Sequence, residues 1–192
     1  ALQEDIPTED ISINAIFTGY TKGKAELLCK QDGIIAGLDV FARTFALLDA
    51  TTEVFFHCQD GDYVQSGELL AEVIGDIRVI LSGERTALNF LQLLSATATV
   101  THEYVAAVAD TGCRILDTRK TIPGLRQAQK YAVRVGGGQN QRMALYDGIL
   151  IKENHIAAAG GVRPALAAAQ ALDAGVSIQI EVENLAQLEE AL

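Results

Sequence analysis

Apolar and polar positions follow two different rhythms along this chain. Ala25 to Cys29 reads as a short strand leading towards Gly33 and Gly37. Leu38 to Leu48 has helical spacing, with Val40, Phe41, Phe45 and Leu48 as its buried face. Glu53 to His57 alternates weakly and predicts a strand. Asp60-Gly61-Asp62 and Ser66-Gly67-Glu68 are turn signals around Tyr63-Val64. Leu69 to Ile74 and Ile77 to Leu81 read as two further strands, turned by Gly75-Asp76. Ser82 is placed to cap a long helical stretch, and Glu84 in its first turn suits the helix dipole. Leu88, Leu91, Leu94 and Val100 predict that helix's apolar side, and a second helix is expected from about Thr101 to Ala109. Thr111-Gly112 interrupts the pattern, dividing the chain into domains 1–111 and 112–192.

Beyond that break, short apolar runs each stop in a polar cluster. Ile115-Leu116 leads into Asp117-Thr118-Arg119-Lys120-Thr121, Gly148-Ile149-Leu150-Ile151 into Lys152-Glu153-Asn154-His155, and Ile178-Gln179-Ile180 into Glu181-Val182-Glu183-Asn184. Such runs, separated by helix-length stretches, read as buried parallel strands. The intervening helices are expected at Leu125–Val135, Arg163–Ala174 and Leu185–Leu192, with Gly175 closing the middle one. Charge gathered where parallel strands stop is the layout of a (β/α) barrel, whose chemistry lies at the C-terminal mouth. The fold class is therefore α/β, and an enzyme is the leading reading. A closed eight-unit barrel takes about 250 residues. Three βα units go only partway round, so either the native chain is longer or these residues join a larger assembly.

Charge narrows the chemistry. The chain has 15 Lys and Arg against 25 Asp and Glu, for a net charge of −10. Between Cys113 and Lys152 the balance reverses, with Arg114, Arg119, Lys120, Arg126, Lys130, Arg134, Arg142 and Lys152 against only Asp117 and Asp147. Some of these cations lie on the helix predicted over 125–135, where a solvated face is the ordinary expectation. Arg119, Lys120 and Lys152 instead follow apolar strands. Cations converging there repel one another unless an anion belongs between them. A pI near 4.7 without a broad basic face argues against nucleic acid. No apolar run approaches the ~20 residues that span a bilayer, and Ala1-Leu2-Gln3-Glu4-Asp5 has neither the basic nor the apolar region expected of a secretory signal. Cys29, Cys58 and Cys113 are odd in number and widely spaced, the pattern of free thiols in a reducing cytoplasm.

Six co-linear motifs then carry a specific resemblance: Gly83-Glu84-Arg85-Thr86-Ala87-Leu88-Asn89; Leu116-Asp117-Thr118-Arg119-Lys120-Thr121-Ile122-Pro123-Gly124-Leu125-Arg126; Lys130-Tyr131-Ala132-Val133; Gly136-Gly137-Gly138-Gln139-Asn140; Leu150-Ile151-Lys152-Glu153-Asn154-His155; and Ile180-Glu181-Val182-Glu183-Asn184. In order and spacing they resemble the quinolinate phosphoribosyltransferase family, over essentially the whole chain but without the family's C-terminal third. The resemblance implies an N-terminal α/β sandwich (1–111) followed by the first three βα units of an incomplete barrel (112–192). It implies transfer of phosphoribose from 5-phosphoribosyl-1-diphosphate, carried with Mg²⁺, to quinolinate. Nicotinate mononucleotide, CO₂ and pyrophosphate are then the products, in NAD biosynthesis. By the same resemblance, Thr118, Arg119, Arg142 and Lys152 bind the dicarboxylate from within a subunit. Arg85 is donated in trans by the partner of a cytoplasmic homodimer. Lys120 lies near both the pyridine ring and the donor, and Glu181 faces the ribose. The residue types suit that chemistry, because planar carboxylates favour Arg forks and Lys supplies a compact charge.

Two positions depart from the family pattern. Gln141 stands where His is common, and Gln cannot carry a proton or a charge. Gln179 stands where an acid is frequent. A related phosphoribosyltransferase for another aromatic acid, or a non-catalytic ligand-binding fragment, are the rival readings. Biotinyl and lipoyl carriers resemble the Asp60–Leu70 turns but need a modifiable Lys, and none occurs between Lys30 and Lys120. Gly136-Gly137-Gly138 matches neither dinucleotide nor P-loop fingerprints, and predicts close backbone approach instead. Glu183 is expected to share a strand face with Glu181 and to serve as a strand-end or cap residue. His155 is expected to hold its loop by hydrogen bonds.

Overall fold

The computed structural model describes all 192 residues, Ala1–Leu192. Its chain divides into two compact units, Ala1–Asp117 with Thr121–Asn140, and Thr118–Lys120 with Gln141–Leu192.

The first unit opens with two short helices, α1 (Leu2–Asp5) and α2 (Ile11–Ile16), then β1 (Lys22–Leu28), β2 (Gly33–Ile34), α3 (Leu38–Leu48), β3 (Glu53–Phe56), β4 (Tyr63–Val64), β5 (Leu69–Asp76) and α4 (Ile77–Ala107). β5 lies between β1 and β3 in an antiparallel sheet, and β2 pairs with β4 in a small ribbon. Phe41 and Phe45 of α3, Val73 of β5, and Ile80 and Leu91 of α4 share one core. The Phe41 and Phe45 rings meet edge to face at 5.2 Å, the geometry their quadrupoles favour.

Three expectations about the middle of the chain are corrected. Ile77 to Leu81 is not a strand but the first turn of α4. The β-branched run Ile77, Val79, Ile80 suggests extended chain, yet packing of Ile80, Ala87, Leu91 and Leu94 outweighs so weak a propensity. The cap is Asp76, whose carboxylate accepts from the Arg78 backbone N–H and side chain; the Arg78 guanidinium holds that carboxyl below the usual carboxylate range. Ser82 sits inside the helix and donates to Asp10 at 2.9 Å. No break separates a second helix at Thr101, because α4 runs unbroken for 31 residues. Val100 is half exposed, while Leu91 and Leu94 are buried. No helix, α4 included, is long and apolar enough to cross a membrane.

After a 3₁₀ turn at Ala109–Thr111, the first unit ends with α5 (Arg126–Val135) and the glycine run. Ile115-Leu116 forms no full strand, only a parallel bridge between Leu116 and Gln139. The glycines do permit close approach. A Cβ on Gly136 would collide with the carbonyl oxygen of Ala98, and one on Gly138 would lie 2.8 Å from Thr101 Cγ2.

The second unit contains β6 (Ile149–Ile151), α6 (Glu153–Ala159), α7 (Val162–Ala171), β7 (Ile178–Ile180) and α8 (Leu185–Ala191). The short helix α6 escapes the sequence reading. Gly175 does not cap α7, which ends at Ala171 with Leu172 as its cap. β6 and β7 are parallel in register, Ile149 opposite Ile178 and Ile151 opposite Ile180. Ile151, Ile156, Val162 and Ala165 are the buried centre here, with Ile149 and Ile180 packed against them. The sheets of both units are open.

Candidate functional site

Period two along a strand decides what the β6–β7 pair displays. Ile149, Ile151 and Ile180 turn towards α6 and α7, so Leu150, Lys152, Gln179 and Glu181 alternate onto the opposite face. Lys152 is the first residue after β6 and Glu181 the first after β7. The parallel register therefore sets them side by side. Lys152 Nζ lies 3.1 Å from both carboxylate oxygens of Glu181, and the Glu181 backbone N–H donates to the Ile151 carbonyl at 2.9 Å. About half of each side chain remains exposed. A solvent-screened pair contributes little to folding, and an incoming anion can compete for the lysine.

The preceding loop presents Arg142. Its Nη1 donates to the Gly148 carbonyl at 3.0 Å, while its buried Nε finds no hydrogen-bond partner. Asp147 closes the loop by accepting from the backbone N–H groups of Met143 and Ala144. Next to Arg142, Gln141 donates from Nε2 to Gln179 Oε1 at 2.8 Å. The two departures from the family pattern are thus bonded to each other, as a neutral pair on the face that carries Glu181.

Thr118–Lys120 belongs to the same compact unit as these strands, although the residues flanking it do not. Thr118 Oγ1 accepts from the Lys120 N–H at 3.0 Å, tightening that turn. Thr118, Arg119, Lys120, Arg142, Lys152 and Glu181 therefore all lie in the second unit. Arg85 lies in the first unit, exposed on α4 beside a cleft of about 350 Å³ with Glu4, Asp5, Asn89 and Phe90.

β7 ends at Ile180, so strand alternation does not extend to Glu183; it sits in the bend before α8 and donates its N–H to Gln187 Oε1 at 2.7 Å. His155 behaves as expected, its Nδ1 accepting from the Lys152 N–H at 2.9 Å. No group of three or more His, Cys, Asp or Glu is arranged to hold a metal ion.

One cluster was missed. Lys130, expected on a solvated helix face, is buried, with its side chain 1% exposed against 6% for Asp117. Its Nζ donates to Asp117 Oδ1 at 2.5 Å. Asn140 Nδ2 donates to Asp117 Oδ2 at 2.5 Å and to the Lys130 carbonyl at 2.9 Å. Helical periodicity gives no sign of this, because the partners lie 13 and 10 positions away.

Basic side chains and a carboxylate at the ends of two parallel strands mark an α/β protein with a charged strand-end face. The model of the quinolinate phosphoribosyl transferase N-terminal domain matches residues 10–95, and that of the C-terminal domain residues 97–192. The chain belongs to the quinolinate phosphoribosyl transferase family. It is 47% identical over 190 residues to the "Probable nicotinate-nucleotide pyrophosphorylase (carboxylating)" of Bacillus subtilis, covering 98% of this chain and 65% of that protein. The nicotinate-nucleotide pyrophosphorylase (carboxylating) of Mycobacterium leprae is 42% identical, over 100% of this chain and 69% of its own length. The crystal structure of NadC from Streptococcus pyogenes superimposes with a TM-score of 0.94 at 49% identity, covering 99% of this chain and 68% of that one. The fold is accordingly the family's N-terminal α/β sandwich and the first part of its incomplete barrel. The chain spans about 65% of the length of the Bacillus subtilis relative.

Proposed function

We propose that the protein carrying this chain transfers phosphoribose from 5-phosphoribosyl-1-diphosphate to quinolinate, releasing pyrophosphate and CO₂ and leaving nicotinate mononucleotide for NAD biosynthesis. The observation that carries this reading is the Lys152–Glu181 pair at the ends of two adjacent parallel strands. In the reading, a quinolinate carboxylate takes Lys152 from Glu181. Arg119 and Arg142 grip the dicarboxylate, and Thr118 adds a hydroxyl donor. Glu181, released, accepts from ribose hydroxyls and opposes the positive charge that grows at C1′ as pyrophosphate departs. The ring nitrogen forms the new bond to C1′, and the pyrophosphate oxygen keeps the electrons of the bond it loses. The positive charge on the ribosylated ring nitrogen stabilises the electron pair left at C2 when CO₂ is lost, and that pair then takes a proton in place of the carboxylate. Lys120 lies between ring and donor, and Mg²⁺ enters as the counter-ion of the diphosphate.

Arg85 completes the dicarboxylate grip from the partner subunit of a homodimer, and the protein works in the cytoplasm. The names of the relatives and the family match support the reaction. The neutral Gln141–Gln179 pair keeps one second reading in view, a phosphoribosyltransferase for a different aromatic acid. Both are tested by supplying the full-length protein with donor, Mg²⁺ and either quinolinate or nicotinate. CO₂ release with quinolinate supports the first. Pyrophosphate release with nicotinate alone supports the second and overturns the first.

A further inference from the structure

The buried cluster of Asp117, Lys130 and Asn140 has no part in the reaction as proposed, and its burial demands an account. Removing an ammonium and a carboxylate from water is costly, and their attraction repays the cost only with good geometry and further hydrogen bonds. Apolar side chains of similar volume would serve stability equally well. What the charged version adds is direction. Both oxygens of Asp117 are engaged, one by Lys130 and the other by Asn140, whose amide also holds the Lys130 carbonyl. Around them, the Asp117 N–H donates to the Gln139 carbonyl at 3.1 Å and the Gln139 N–H to the Ile115 carbonyl at 2.8 Å. Two stretches of chain and helix α5 are thereby fixed at one point.

The residues that follow are the informative part. Thr118-Arg119-Lys120 begins at the peptide bond after Asp117, and Gln141-Arg142 at the one after Asn140. We propose that Asp117, Lys130 and Asn140 are positioning residues, a buried brace that fixes the start of both cationic segments and so sets how Arg119 and Arg142 meet a dicarboxylate. This rests on the function proposed above. A two-point grip on a rigid planar anion tolerates little error, since a displacement of about 1 Å can cost about a hundredfold in rate.

Lys130→Met leaves the Asp117 carboxylate buried without its cation and can fail to fold. Asp117→Asn combined with Lys130→Met removes both charges, and Asn140→Ala removes the tether alone. In the full-length protein, the folded variants are expected to raise the quinolinate KM about tenfold or more, with the donor KM within about twofold of the parent. Amide exchange at Thr118–Lys120 and Gln141–Met143 is expected to accelerate about tenfold while β5 stays as protected as in the parent. A purely structural role would move the melting temperature and the active fraction but neither of these. A folded variant with the parent's quinolinate KM, or with unchanged exchange at those segments, overturns the brace. A parent that leaves quinolinate untouched overturns the proposed function instead, and the exchange comparison then decides the brace by itself.

Discussion

Arg119 and Arg142 approach the proposed anion from different stretches of chain, and each has an identifiable local anchor. Arg142 is held by the Gly148 carbonyl through one nitrogen; Arg119 lies within a turn closed by the Thr118 hydroxyl on the Lys120 N–H. If Arg119 grips a quinolinate carboxylate away from water, Arg119→Ala should weaken quinolinate binding by about 2–5 kcal/mol with the fold intact. Titration calorimetry on the folded variant measures this directly, and unchanged affinity removes Arg119 from the site. A second residue-level expectation concerns Tyr131. Its hydroxyl donates to Asp60 Oδ2 at 2.6 Å, and burial first, then that bond, raises its pKa to about 12. In the unfolded chain a tyrosine ionises near the ordinary value of about 10. The contribution of Tyr131 to stability is therefore whole below pH 10 and is lost as the pH climbs towards 12. Denaturant unfolding across that range should show stability falling in the parent, with a shallower fall in Tyr131→Phe.

At the scale of elements, side chains remote in sequence decide where helices begin and how near they come. Asp60 accepts from the N–H groups of Gly37 and Leu38, capping α3 from 23 and 22 positions away. Gly136 plays the complementary part by being absent as a side chain. Its φ of −74° is ordinary for any residue, so the constraint is space alone. A methyl group there would meet the Ala98 carbonyl oxygen, part of the α4 backbone, which cannot rotate aside as a side chain would. Gly136→Ala is expected to destabilise the protein by about 1–3 kcal/mol or more through overpacking. A thermal melt lowered by several degrees fits this, and an unchanged one shows that α4 and the glycine run separate without cost.

For the molecule as a whole, the division of the proposed site residues is the salient point. Six of them occupy the second unit and Arg85 the first. If Arg85 completes the site of a partner subunit, activity belongs to the dimer. Mixing inactive Arg85→Ala chains with inactive Lys152→Ala chains in full-length protein should then restore part of the activity, because one hybrid site regains both residues. Proven subunit exchange without recovery removes Arg85 from any partner's site.

Local chemistry written in consecutive residues could be read without the structure. The α3 face of Phe41 and Phe45 and the apolar runs ending in Lys152 and Glu181 follow from periods of 3.6 and two, which depend only on backbone geometry. Ile77–Leu81 misled because β-branched residues favour strands only weakly, and the cap at Asp76 together with burial against the sheet overruled them. Gly175 misled because a glycine with positive φ signals a turn without saying which residue ends the helix. Lys130 was illegible for a deeper reason. A lysine's burial depends on whether a carboxylate and an amide from elsewhere in the chain reach it, and no spacing within a helix encodes that. The sequence by itself determined which residues follow each strand and what charges they carry, because those are properties of neighbours along the chain. Tertiary structure alone decided that Lys152 meets Glu181, that Gln141 meets Gln179, and that Asp117 closes over Lys130. Each of those pairings depends on strand register and on the closure of long loops, which are settled only when the core packs.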